Sequence, residues 1–277
     1  EGTATPQPCP AGYWCSEGTR YAHQHPCPAG TYLSTTGSSS QSDCSACLEG
    51  FYCPAGSTNS DKVCPSGHWC SASTGAWNEH PCPLGTFSGQ VTGLVASSEC
   101  QACTAGSYCP QGSIEPTACP MGTYNPSGDA GFVGNCIACI AGYACPLQGL
   151  VVSTDTPCAA GHWCPQGTRL PTEHPCPPGT YSDATDLTRV EDCLPCPETK
   201  ACGWGTGGAD NPPSDCAQGH FCPEGTEFTT QYPCAAGTFS AATNLIAQSG
   251  CTACPAGQHC VGGGSTPSGL CAAGHWC

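Results

Sequence analysis

The sequence predicts an elongated array of small, irregular, disulfide-rich repeats with short β-hairpins and little or no helix. Three observations favour this fold class. Cysteine supplies 30 of the 277 residues, above the roughly 8–10% that marks a disulfide scaffold. Leu, Ile, Val and Phe together number only 29, whereas Gly and Pro number 37 and 28. The cysteines also recur at fixed spacing, which is typical of crosslinked modules joined by short linkers.

The shortage of apolar residues makes the disulfides essential. A chain of this composition cannot offset its ordering entropy by burial alone. Covalent bridges can supply the missing constraint, and they persist in an oxidising compartment. We therefore expect a secreted, extracellular or cell-surface protein. No apolar run approaches the roughly 20 residues of a membrane-spanning helix, and neither an initiator Met nor a signal peptide precedes Glu1, so we expect a mature form or an internal fragment.

The cysteine spacing divides the chain into repeats. A full repeat has six cysteines separated by 5, 11, 16 or 17, 2 and 5 residues, and only the link between repeats varies. The third repeat lacks the first two cysteines. The predicted boundaries are 1–63, 64–118, 119–157 (the short repeat), 158–215, 216–270 and 271–277, the last being the start of a sixth repeat.

Residue identities recur together with the cysteines. The third cysteine of each full repeat precedes two residues and then Gly-Thr-Tyr or Gly-Thr-Phe, as at Gly30-Thr31-Tyr32 and Gly85-Thr86-Phe87. We expect small hairpins at these segments, because Gly suits tight turns with positive φ and the frequent Pro and Gly forbid longer strands. The aromatic side chains beside the cysteines are expected to lie flat against a neighbouring disulfide.

The pattern Cys-Pro-x-Gly-Thr-Tyr, whose cysteine is separated by 16 or 17 residues from a following Cys-x-x-Cys-x-x-Gly-x-Tyr-Cys, resembles the ephrin-receptor-like cysteine-rich repeat. The six-cysteine rhythm is also similar to that of tumour necrosis factor receptor domains. The resemblance covers essentially the whole chain and implies an extracellular protein of a kind found in many protists and algae. The fourth repeat departs from the pattern, since Pro197–Ala201 stand where a glycine and an aromatic residue are expected.

The resemblance implies that the third and fourth cysteines of each repeat pair with each other. The implied bridges are Cys27–Cys44, Cys82–Cys100, Cys119–Cys136, Cys176–Cys193 and Cys234–Cys251. Two schemes remain for the other cysteines. In a crossed scheme the fifth and sixth bond to the first and second of the next repeat, and in a local scheme each Cys-x5-Cys closes on itself. The crossed scheme fails where Cys103 and Cys109 meet the short repeat, and we favour it elsewhere.

The charge and the short motifs of the sequence disfavour several kinds of partner and site. The chain has five basic and 20 acidic residues. This excess of negative charge argues against nucleic acid and anionic membranes as partners. It favours solubility by self-repulsion over weak calcium binding. The Cys-x-x-Cys pairs recur with the disulfide period, which favours neither a zinc site nor a redox site. The recurrent histidines indicate packing or hydrogen bonding between repeats, with a metal-binding or pH-responsive contact as the alternative. We predict no catalytic, cofactor-binding or metal-binding residues.

Two functions fit this architecture. The first is a structural role, in which the chain self-associates into a rod or filament of a surface hair, coat or matrix. The second is the ligand-binding ectodomain of a receptor or adhesin. No N-x-[ST] sequon occurs, but the loops are dense in Ser and Thr, for example over residues 34–40, so O-linked glycans are a further hypothesis.

Overall fold

The computed structural model describes residues 6–277. Over these residues the secondary structure consists of two-residue strands and three-residue 3-10 helices, and no α-helix occurs. The strands pair into nine two-stranded antiparallel sheets. The predicted fold class of small disulfide-rich repeats with short hairpins and little helix is therefore confirmed.

The strands are β1 Thr31–Tyr32, β2 Ser45–Ala46, β3 Thr86–Phe87, β4 Gln101–Ala102, β5 Ser107–Tyr108, β6 Thr117–Ala118, β7 Thr123–Tyr124, β8 Ile137–Ala138, β9 Thr180–Tyr181, β10 Leu194–Pro195, β11 Lys200–Ala201, β12 Ser214–Asp215, β13 His220–Phe221, β14 Tyr232–Pro233, β15 Thr238–Phe239, β16 Thr252–Ala253, β17 Gln258–His259 and β18 Gly269–Leu270. The 3-10 helices are Gln41–Asp43, Ser97–Glu99, Val133–Asn135, Val190–Asp192 and Gln248–Gly250.

Hairpins form at the Gly-Thr-aromatic segments, as the sequence predicts. In the first of them β1 pairs with β2, so that Thr31 lies opposite Ala46. The Thr31 hydroxyl donates a 2.7 Å hydrogen bond to the Pro28 carbonyl, and the equivalent threonines of the other hairpins make the same bond. A 3-10 helix just before the partner strand turns the chain back towards the first strand of the hairpin.

Half-cystines form most of the buried interior. Besides them, six apolar residues of the described chain are buried, namely Leu33, Leu94, Ala130, Ala144, Leu187 and Ala201. Trp69 packs against a small cluster of Cys82, Leu94 and Cys100. Trp163 packs in the same way against Cys176, Leu187 and Cys193. The prediction that aromatic side chains cover neighbouring disulfides is therefore confirmed for both tryptophans.

The chain forms two compact units. The first runs as far as Cys119 and also contains Asn125–Ile137 and Gly149–Val151. The second contains Pro120–Tyr124, Ala138–Gln148 and Val152–Cys277. The same repeating contacts occur within each unit. No helix in residues 6–277 combines the length and the hydropathy needed to cross a bilayer.

Candidate functional site

All thirty cysteines are paired, and they pair in order along the chain, the first with the second, the third with the fourth, and so on. The long loops join residues 17 or 18 positions apart, and they are Cys27–Cys44, Cys82–Cys100, Cys119–Cys136, Cys176–Cys193 and Cys234–Cys251. These are the cysteines that the resemblance places together. In the chain-entropy model each such loop contributes about 3 kcal/mol to the free energy of unfolding.

The remaining ten bridges are tight loops in which the cysteines are six positions apart, as in Cys47–Cys53 and Cys64–Cys70. The crossed scheme, which would join Cys47 to Cys64, is therefore wrong. The physical reason is the turn inside the loop. In Cys47–Cys53 Gly50 has a φ of 80°, which reverses the chain and brings the two Cα atoms to 5.9 Å, a normal distance for a disulfide.

A shorter repeat than the six-cysteine one underlies the fold. We call it a step: it begins at a cysteine, has glycine three residues later, and holds one disulfide. The fifteen steps begin at Cys9, Cys27, Cys47, Cys64, Cys82, Cys103, Cys119, Cys139, Cys158, Cys176, Cys196, Cys216, Cys234, Cys254 and Cys271. Their lengths range from 16 residues, from Cys103 to Cys119, to 21 residues, from Cys82 to Cys103. A full predicted repeat contains three steps and the short third repeat two, so the shortening removes one whole step.

Backbone hydrogen bonds join each step to the next one along the chain. In the third step the Gly50 N–H donates to the Cys70 carbonyl at 2.8 Å, and the Gly50 carbonyl accepts from the Cys64 N–H at 2.9 Å. The bond from the first cysteine of the next step to this carbonyl recurs between all fourteen pairs of consecutive steps. The bond donated by the N–H at the glycine position recurs at thirteen steps. At one of these, Gly67, the acceptor is the Ser88 hydroxyl. These bonds involve only backbone or small polar groups, so neighbouring steps meet in a fixed register whatever their loop sequences are.

In eleven of the steps the glycine also approaches the step after the next one. A Cβ added to Gly50 would lie 2.8 Å from the Gly93 carbonyl oxygen, and one added to Gly142 would lie 2.8 Å from the Asp186 carbonyl oxygen. Real Cβ contacts are longer than 3.0 Å. Thr199 is the one residue that replaces this glycine, and it keeps the same conformation with a φ of 69°. The departure that the sequence shows in the fourth repeat is therefore a strained residue at a coupling position.

In thirteen of the fifteen steps the residue six positions after the first cysteine is buried, and these steps include both tight and long loops. In tight loops it is the second half-cystine. In long loops it is Leu33, Ser88, Asn125, Ser182 or Ser240, each at most 4% exposed. Its backbone joins consecutive steps, since the Leu33 carbonyl accepts from Gly12 and the Leu33 N–H donates to the Ser57 carbonyl. A small or compact side chain at this position therefore fills the space that a disulfide fills elsewhere.

Stacked ring pairs recur at the start of the full repeats. Trp14 stacks on His25 with ring centroids 4.5 Å apart, and Trp69 stacks on His80 at 4.4 Å. Trp163 and His174 lie 4.8 Å apart, and Phe221 and Tyr232 take the same places in the fifth repeat. The predicted packing role is confirmed for these histidines.

A second set of histidines bonds locally. The Nδ1 atoms of His162 and His220 lie 3.0 and 2.9 Å from carbonyl oxygens two residues earlier. These hydrogen bonds stay within one step and therefore do not join repeats.

Many acidic and amide side chains cap the turns of their own loops. The Glu79 carboxylate accepts from the Gly75 N–H at 2.9 Å, and Glu173 accepts from the Arg169 N–H at 2.7 Å. The Arg169 side chain, followed by the backbone N–H bond, lowers the pKa of Glu173 from 4.5 to about 2. At Asp192 burial acts to raise the pKa, but hydrogen bonds from Thr188 and Arg189 outweigh it and lower the pKa. These carboxylates therefore act as hydrogen-bond acceptors for backbone N–H groups of their own loops.

The Cys-x-x-Cys pairs and the His, Asp and Glu side chains are the groups that a metal or redox site would use. The two members of each Cys-x-x-Cys pair belong to different disulfides, as with Cys44 and Cys47. In residues 6–277 no group of three or more His, Cys, Asp or Glu side chains comes together in a way that could hold a metal ion.

Comparison with models of known protein families finds no match, and comparison with curated proteins finds none either. The resemblance to ephrin-receptor-like repeats therefore stays a prediction. The site that the structure does describe is the repeated coupling surface, formed by the first cysteine, the glycine and the sixth following residue of each step.

Proposed function

We propose that this chain is a structural element of an extracellular assembly, in which coupled steps form a rod or filament of a surface hair, coat or matrix. The observation that carries the proposal is the repetition of the same backbone bonds between consecutive steps. A site that recurs at every step serves the array as a whole, as in other one-dimensional repeat proteins.

The coupling surface is also the reason to expect self-association. Each step presents one edge to the step before it and a different edge to the step after it. Contacts of this head-to-tail kind, when made between copies, generate open filaments unless the rotation closes a ring. We therefore propose other copies of this chain as its main partners.

The sulfur chemistry supports an extracellular location. None of the thirty cysteines is free, and fifteen bridges of this kind would not persist in a reducing cytosol. Five basic residues against 20 acidic ones support mutual repulsion between unassembled chains, and they do not support nucleic acid as a partner.

O-linked glycans are part of the proposal for the long loops. Ser34, Thr35 and Thr36 are all exposed in the loop that Cys27–Cys44 closes. An intact mass of the native protein above that of the bare oxidised polypeptide would support glycosylation there, and an equal mass would exclude it.

Electron microscopy of the native material tests the structural role. We expect fibres or sheets with an axial repeat, and we expect them to disperse when the disulfides are reduced. Discrete monomers under all native conditions would contradict the proposal.

The alternative is the ligand-binding ectodomain of a receptor or adhesin. One observation favours it: the link between Cys202 and Cys216 is the longest between repeats, and it carries Trp204, which is 67% exposed. Insertions in repeat arrays often lie on the binding face. Monomeric particles that capture one defined ligand would favour this alternative.

A further inference from the structure

The longest link between repeats forms one wall of a groove of about 410 Å³. The wall consists of Trp204 and Gly205 together with residues 207–211, and His162, Thr172 and Pro175 contribute to the rest of the lining. All of these residues belong to the second compact unit. The volume lies in the range of small-ligand pockets, roughly 300–1,000 Å³.

The wall is held in place by hydrogen bonds. The Asn211 Nδ2 donates to the carbonyl oxygens of Trp204 and Gly205 at 3.3 and 3.0 Å. The Gly207 N–H donates to the Asn211 carbonyl at 2.8 Å. The Gly208 N–H donates to Asp183 Oδ1 at 2.9 Å. A loop fixed at both ends needs little reordering when a ligand binds, which reduces the entropic cost of binding.

Two side chains of the groove, those of Asp210 and Asn211, offer hydrogen-bond acceptors. Asp210 supplies a carboxylate and is the one acidic residue among those lining the groove, which Lys and Arg do not line. His162 Nδ1 lies 3.0 Å from the Ala160 carbonyl oxygen, so Nε2 is the ring nitrogen that this contact leaves unused. Asn211 uses its amide nitrogen in the loop, which leaves its Oδ1 to accept. Beside these acceptors lies the exposed indole of Trp204, whose ring face is electron-rich.

We propose that this groove binds the guanidinium group of an arginine side chain from a partner protein. A guanidinium is planar, always charged and donor-only, so it can stack on Trp204 and donate to the carboxylate of Asp210 at the same time. The groove offers a carboxylate and neither Lys nor Arg, which disfavours anions. The net charge of −15 attracts basic partners towards the surface. The proposal stands apart from the structural role, because it uses the longest link between repeats and not the coupling surface.

Titration with a short capped Gly-Arg-Gly peptide tests the proposal, with the citrulline peptide as its neutral isostere. The readout is the indole N–H resonance of Trp204 in the fully oxidised protein, which is assigned by its loss in Trp204→Phe. We expect a saturable shift with the arginine peptide, and binding of the citrulline peptide that is about ten-fold weaker.

Two carboxylate variants separate the groove from the general charge of the protein. Asp210→Asn should weaken binding about three-fold or more. Asp155→Asn is the matched control, because Asp155 is exposed in the same unit, lies outside the groove and carries the same charge. The proposal is overturned if citrulline binds as tightly as arginine, if the Trp204 resonance does not move, or if the two variants weaken binding equally.

Discussion

Substitution of Gly50 tests the close approach between a step and the step after the next one. The residue has a φ of 80°, and its N–H and carbonyl bond to Cys70 and Cys64. Replacing it by alanine has two costs. A left-handed conformation costs a residue with a Cβ about 1–2 kcal/mol. The new Cβ would also lie 2.8 Å from the Gly93 oxygen, and relieving an overpacked contact of this kind costs about 1–3 kcal/mol more.

Gly237→Ala is the matched control for Gly50→Ala. Gly237 takes the same place in its step, has a φ of 85°, and makes the equivalent bonds to Cys260 and Cys254. Within residues 6–277 no atom lies within 4 Å of a Cβ added there, so the comparison is made in the chain that ends at Cys277. The control therefore carries the conformational cost alone, and the difference between the two variants isolates the contact with the step after the next one.

Amide hydrogen exchange of the oxidised protein measures the difference locally, which suits a repeat array whose steps need not unfold together. The probes are the Cys64 N–H next to Gly50 and the Cys254 N–H next to Gly237. We expect exchange at Cys64 to accelerate about ten-fold more in its variant than exchange at Cys254 does in the control. Equal acceleration at the two sites would refute the close approach.

Three further predictions concern single residues. Thr199→Gly should slow exchange of the Cys216 N–H, which bonds to the Thr199 carbonyl, because it removes about 1 kcal/mol of left-handed strain. The pKa of Glu173 is lowered from 4.5 to about 2, so the contribution of this carboxylate to stability is present above pH 4.5 and is lost as the pH falls towards 2. Glu173→Gln should therefore remove the acceleration of exchange that acid causes at the Arg169 N–H. Peptide mapping of the native disulfides should link Cys47 to Cys53.

Each of these predictions has an outcome that contradicts it. Faster exchange in Thr199→Gly would mean that the threonine side chain makes a stabilising contact that outweighs the strain. An unchanged acid dependence of exchange in Glu173→Gln would mean that the ion pair of Glu173 with Arg169 does not cause it. The variant can still cap the turn, because Gln24 and Gln231 do so at the equivalent positions. A peptide that joins Cys47 to Cys64 would restore the crossed scheme.

Several features of the fold could be predicted because they leave a side-chain signature. The Gly-Thr-aromatic segments become strands β1, β3, β7, β9 and β15, since the threonine hydroxyl and the preceding turn act within a few residues. Trp69 covers a disulfide because an indole beside a cysteine has little other apolar surface to pack against. Such features depend on short-range contacts, and the sequence records both partners.

The shorter step was harder to find, although its signal was present. The Cys-x-x-Gly pattern begins fourteen of the fifteen steps, but counting cysteines in groups of six conceals it. The groove beside Trp204 also had a signal, because the link before Cys216 is the longest between repeats. Its lining could not be predicted, since His162 and Thr172 reach it from two steps earlier in the chain.

The sequence by itself determined the class of this protein, because the number and spacing of its cysteines and its lack of apolar residues leave covalent bridges as the main source of order. Only the tertiary structure decided which cysteines pair and how the steps meet. Pairing depends on where the chain reverses. The contacts between steps are made largely by backbone groups that every residue carries, so the only trace they leave in the sequence is a glycine where a Cβ would collide.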